Sequence, residues 1–98
     1  MKRQQIYELL ESLYADAIEP ESAWQTYQNF YHICTDGDKD TMDYMYNVID
    51  MNATQRLELR CKMAERGFEL TPSQLNQYIF LLLLATIDYI DDRRNEYT

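Results

Sequence analysis

Glycine and proline are scarce, with two of each in 98 residues. That excludes a collagen-like chain and a Pro/Gly-rich linker. Two cysteines are too few for a disulfide scaffold. One histidine beside two cysteines falls short of a four-ligand structural zinc set. No Gly-rich phosphate loop is present, because Gly37 and Gly67 stand alone. No apolar run reaches the roughly 20 residues that a bilayer span needs. The most apolar stretch, residues 78–87, is broken by Thr86 and reads as a buried core helix. The start, Met-Lys-Arg-Gln-Gln, leads into Glu8, Glu11 and Asp16, not into a secretory apolar core. These features together predict a reducing, cytoplasmic setting, with Cys34–Cys61 pairing conceivable only in an oxidising one.

What is present is 46% apolar and 27% charged, the balance of one soluble globular domain spanning 1–98. Helical periodicity runs through it. Ile6, Leu9, Leu10, Leu13, Tyr14 and Ala17 recur at i, i+3, i+4, i+7 and predict a first helix over 2–18. Pro20 ends that helix and suits the first turn of the next, over 21–34, with Ala23, Trp24, Tyr27, Phe30, Tyr31 and Cys34 inward. This aromatic stripe reads as core, with Trp24 or Tyr31 packing around His32.

Residues 35–41 form the clearest loop. A third helix follows over 41–50, with Met42, Met45, Tyr46 and Ile49 inward. Asn52 with Gln55 three residues on has the form of a capping box and predicts a break before a fourth helix. The alternative is one continuous helix over 41–66. The fourth helix ends at Gly67, with Leu57, Cys61, Ala64 and then Phe68 towards the core. Thr71-Pro72-Ser73-Gln74 combines a cap, Pro at N1 and Gln at N3, and opens a last helix to about Arg94. That helix is apolar on every side, through Leu75, Ile79, Leu82, Phe80, Leu81, Leu84 and Ile87. It must therefore be wrapped by the others or sit at a dimer seam. Residues 89–98 turn polar and should fray. The fold expected is an all-α, single-domain bundle of four to five helices.

Charge is unevenly placed. Nine Lys+Arg against 17 Asp+Glu give −8, and residues 1–50 carry −7 of it, with Lys39 the only base between Arg3 and Arg56. Such a field repels nucleic acid and steers a basic protein surface inward. Tyr7, Tyr14, Tyr44 and Tyr46 are interleaved with these acids, and tyrosine supplies contact area at interface centres.

Asp36-Gly37-Asp38-Lys39-Asp40 resembles the opening of an EF-hand loop, but Thr41 stands where its glycine belongs and Asn47 where its bidentate carboxylate belongs. No metal or cofactor is expected. His32 and Cys34, two apart on a helix, do not form a dyad. Glu8 with Glu11, and Asp88 with Asp91 and Asp92, are carboxylate groups without a pocket, so no enzyme is expected. Arg56, Arg60, Lys62 and Arg66 followed by Thr71, Ser73, Gln74, Asn76 and Gln77 could form a helix-turn-helix reading set. The long link at 67–71 and the apolar helix after it oppose that reading.

Residues 63–75, with Ala64, Gly67-Phe68, Thr71 and Leu75, resemble the Ala-x-x-x-Gly-Phe-x-x-Thr-x-x-x-Leu pattern of nitrogen-fixation-type leader domains. The resemblance implies a helix stop, a buried Phe68 and a capped restart. The small-residue cleavage site of such leaders is missing from Arg-Arg-Asn-Glu-Tyr-Thr, and no function is carried over. The expected function is a non-catalytic protein-binding module, an inhibitor or regulator of the phage anti-defence or DNA-mimic type. Glu8, Glu11, Asp36, Asp38, Asp40 and Asp43 would be its contacts, with Tyr44 and Tyr46 as anchors. The alternative is an adaptor or assembly subunit, a homodimer among its forms, that acts through the apolar last helix.

Overall fold

A computed structural model describes residues 2–96. Five helices follow in order: α1 (Lys2–Leu13), α2 (Pro20–Asp36), α3 (Lys39–Ile49), α4 (Ala53–Glu65) and α5 (Pro72–Glu96). The all-α bundle expected from periodicity is the fold that forms.

The helix boundaries follow from local chemistry. α1 ends at Leu13, short of the expected Ile18. Pro20 biases Glu19 out of the helical region, and Glu19 sits at φ −57°, ψ 139°. The segment before it is drawn across to α5. There the Ile18 N–H donates to Gln77 Oε1 at 2.8 Å, and Thr71 Oγ1 donates to Asp16 at 2.7 Å. The expected loop at 35–41 shrinks to Gly37 and Asp38. Gly37 is extended at φ −69°, and its role is close approach: its N–H donates to the Ile33 carbonyl, with which a Cβ would collide.

The break between α3 and α4 is real. Asn52 Oδ1 accepts the Gln55 N–H at 2.9 Å and Gln55 Oε1 accepts the Asn52 N–H at 3.0 Å, so two helix-end donors are satisfied reciprocally. Gly67, at φ 89°, ends α4 in the left-handed region that favours glycine. Thr71 and Gln74 form a second reciprocal box, at 3.1 Å each way, and start α5.

α5 is the spine. One core cluster gathers Ile6 and Leu10 of α1, Ala23 and Tyr27 of α2, and Leu81 and Ala85 of α5. The other gathers Cys34, Met45 and Val48 with Leu75, Ile79 and Leu82 of α5. Phe30 packs against both. α2 makes the broadest contact with α5, and the Tyr27 and Tyr31 hydroxyls fasten it by donating to Asp88 and Asp92 at 2.5 and 2.6 Å. Burial, then the Asp88 acceptor, raises the Tyr27 pKa above its ordinary value. Lys2 Nζ lies 3.8 Å from both carboxylates. The Cα radius of gyration, 14.0 Å, matches the roughly 13 Å of a single 100-residue domain.

Several expected faces are turned. Leu9, Leu13 and Ala17 are exposed, and only Ile6 and Leu10 of that stripe are fully buried. Tyr46 is exposed and Val48 is buried in its place. In α4 the stripe Leu57, Cys61 and Ala64 points to solvent, as does Phe68, while Leu59 and Met63 pack inward. The arginines decide this. Arg56 donates to Asn76 Oδ1 at 3.2 Å and Arg60 to the Leu70 carbonyl at 3.1 Å, which fixes the opposite side of α4 towards α5. His32 is exposed and lies 3.6 Å from Asp36, without the aromatic surround expected for it. α5 stays helical through Glu96 where fraying was expected, and residues 97–98 lie outside the described residues. The two thiols are free, Cys34 buried and Cys61 exposed.

Leu81, fully buried between α1, α2 and α5, and Leu83, 40% exposed, are a matched pair two residues apart. Leu81→Ala should lower unfolding free energy by about 2–5 kcal/mol. Leu83→Ala should change it by about 0.5 kcal/mol or less. Urea unfolding midpoints at constant m-value check both.

Candidate functional site

The α2–α3 corner and the outer side of α3 hold most of the residues singled out from sequence. Met45 and Val48 are buried, which fixes the inward side of α3. At 100° per residue the opposite side carries Asp40, Asp43 and Asn47 as a ridge, with Tyr44 on one flank and Tyr46 on the other. Both tyrosines are exposed, Tyr44 at 61% and Tyr46 at 49%. The fold spends other tyrosines differently. Tyr27 and Tyr31 bond to α5 and pack ring against ring, Tyr14 meets Phe80, and Tyr7 donates to Glu21 at 2.6 Å.

The corner acids differ in duty. Asp38 is the N-cap of α3, accepting the Thr41 N–H at 2.8 Å. That backbone donor, at the positive end of the helix, holds its carboxyl below the usual range. Asp36 faces His32 one turn back. Asp40 and Asp43 are exposed and serve no cap or ion pair among the described residues. Glu8 and Glu11 are also exposed, but they stand on α1, which packs on α2. They form an acidic strip of their own, apart from the corner.

An apolar groove adjoins the ridge and shares Tyr44 with it. It lies between α3, α4 and α5 with α2 at its back, has a volume of about 740 Å³, and is lined by Phe30, Met45, Val48, Met51, Leu59 and Met63, with Lys62 and Arg66 on the α4 rim. It exists because α4 buries no residue completely and rests on α5 through Leu59, Met63 and its two arginines. Methionine side chains re-pack easily, so such a groove accepts apolar groups of varied shape. The reading of the sequence missed it. The available signal was the spacing of methionines at 45, 51 and 63.

The chain was matched by no family model, no curated protein and no solved structure. The site's chemistry therefore stands on its own geometry. The polar set considered for base reading is engaged within the fold. Gln77 is fully buried, Thr71 and Gln74 cap each other, and Asn76 accepts from Arg56. Asp88 and Asp92 are tyrosine acceptors. Among the described residues no three His, Cys, Asp or Glu side chains converge on a metal-sized site. What the α3 edge offers is a negative ridge, two projecting phenols and an adjoining greasy trough.

The Asp38 cap generates a pH prediction. Its folded pKa lies below its unfolded one, so its contribution is complete above the ordinary carboxylate range, about 3.9, and is lost as pH falls through the depressed value. Asp38→Asn should keep the neutral-pH melting temperature, since Asn caps as well as Asp, and should remove this part of the acid loss. Asp38→Ala should lower the melting temperature at pH 7. Thermal melts followed by far-UV circular dichroism between pH 2 and pH 7, a range of about 5 pH units, distinguish the three proteins.

Proposed function

We propose that this chain is a non-catalytic protein-binding module, an inhibitor or regulator that sets its α3 edge against a basic surface of a target protein. A basic surface built for nucleic acid fits best, since carboxylates can stand in for phosphates there; this is the DNA-mimic mode. The observation that carries the reading is the coincidence on one edge of exposed Asp40 and Asp43, exposed Tyr44 and Tyr46, and an apolar groove that shares Tyr44. Each part answers a separate need of an interface. Carboxylates raise the encounter rate and select a positive partner. Tyrosines give contact area at low entropic cost. The groove accepts one apolar anchor from the target. The −7 carried by residues 1–50 extends the steering field beyond the contact itself.

The adaptor reading retains one favourable observation, the partly open face of α5 at Leu83, Ile87 and Ile90.

The test compares the unaltered protein with Asp40→Lys/Asp43→Lys and with Tyr44→Ala as baits in host extract, with bound proteins identified by mass spectrometry. The expected result is a basic protein whose capture weakens with salt, is lost to the double reversal, and falls about tenfold or more in affinity with Tyr44→Ala, as for an interface anchor. All three substitutions lie at exposed positions, so helicity and melting temperature should hold. Equal capture by all three baits at all salt concentrations overturns the proposal.

A further inference from the structure

We propose that the groove between α3, α4 and α5 holds one free fatty acid, its carboxylate at Lys62 and Arg66 and its methyl end towards Met51. The inference concerns a small ligand of this chain and does not rest on the target proposed above.

Shape selects the class of ligand. Tyr44 and Val48 on α3, and Leu59, Met63 and Arg66 on α4, line the groove at helical spacing, so each helix presents one stripe to it. The two helices are joined at one end by the link 50–52, whose Met51 is itself a lining residue. The chain thereby closes that end. Away from the link the lining continues to Thr41 on α3 and to Arg66 on α4, about 20 Å along the α4 axis. The result is a trough with one closed, apolar end. A molecule with one apolar terminus fits it. A peptide helix, which runs on past its contact in both directions, fits an open one. The volume, about 740 Å³, falls within the roughly 300–1,000 Å³ of small-molecule sites.

Charge selects the head group and its direction. Lys62 and Arg66 are four residues apart on one face of α4, with Cβ atoms about 5–6 Å apart, so one carboxylate between them can reach both. Both are exposed, both line the groove, and neither is in an ion pair among the described residues. Other bases of this acidic chain are engaged within the fold, Lys2 by Asp88 and Asp92, Arg3 by Glu21, and Arg60 by the Leu70 carbonyl. The pair on the groove rim thus awaits an anion from outside. Glu58 lines the same wall one turn nearer the link and repels a carboxylate from that half. The head is therefore held at the open end, and the alkyl chain runs towards Met51. Met45, Met51 and Met63 can re-pack around a flexible chain. A fatty acid in this position fills the groove that a target's apolar anchor would enter, so the two compete.

Calorimetric titration of the full chain with laurate, decanoate and lauryl alcohol, each kept below micelle formation, tests this. The unaltered protein should bind one laurate. Decanoate, shorter by two methylenes, should bind about tenfold more weakly. Lys62→Glu/Arg66→Glu should weaken laurate about tenfold and leave lauryl alcohol unaffected, with helicity unchanged because both positions are exposed. In methionine-methyl NMR spectra, laurate should shift Met45, Met51 and Met63 more than Met42, which packs on the same core outside the groove lining. Failure of the unaltered protein to bind laurate overturns the proposal and leaves the groove to a protein segment. Equal laurate affinity for the reversed variant overturns it. So does uptake of several laurates with loss of helicity, which is detergent action. A groove filled by a second copy would appear as self-association that excludes laurate, and this too overturns it.

Discussion

A helix with apolar side chains on every side cannot stand in water, and α5 is such a helix along its middle, residues 78–87. At about 25 cal/mol per Å² of apolar surface hidden from water, covering it is the largest favourable contribution open to this chain. The other four helices are arranged to do so. Leu81 and Ala85 meet α1 and α2, and Leu75, Ile79 and Leu82 meet α2, α3 and the inner side of α4. Because the chain must return to α5 from both directions, its short connections are tied to that helix. Ile18 and Asp16 reach Gln77 and Thr71, and Leu70 accepts from Arg60.

This arrangement separates the charges by duty. Acids near α5 are structural, with Asp88 and Asp92 accepting the hydroxyls of buried Tyr27 and half-buried Tyr31 and Asp16 holding the turn after α1. The Asp16 carboxyl sits below its usual range because the Ser73 and Thr71 hydroxyls donate to it. The bases of α4 are drawn in likewise, Arg56 and Arg60 towards α5 and the loop before it. Acids on α3 lie on the side away from α5, where Asp40 and Asp43 have no such duty. The negative ridge is thus surface that the spine does not need. α4, held by arginines instead of a buried stripe, leaves the neighbouring groove open.

Much of this was legible in the residues. Both capping boxes, the Gly67 stop, Pro20 at the start of α2 and the break before Asn52 are governed by side chains within three or four positions, and each stands where local chemistry puts it. The exposure of Tyr44 was legible too, from its place among acids. Tyr46 was not, because periodicity alone could not choose between it and Val48 as the inward residue of α3. α4 was the larger failure. It has two apolar stripes on opposite sides, Leu57-Cys61-Ala64 and Leu59-Met63, and period alone cannot rank them. The groove shared the same obscurity, since it is made by residues from four helices and the link at Met51.

The sequence by itself determined the helices, their caps, the apolar character of the last one and the imbalance of charge, because each is set by neighbours a few residues apart. Only the tertiary structure decided which stripe of α4 faces inward, that α1 stops at Leu13 and that the α3 acids adjoin an apolar trough. Those outcomes depend on contacts such as Arg56 with Asn76 and Ile18 with Gln77, 20 and 59 residues apart in the chain. A contact of that span exists only once the spine is wrapped, so no local pattern encodes it.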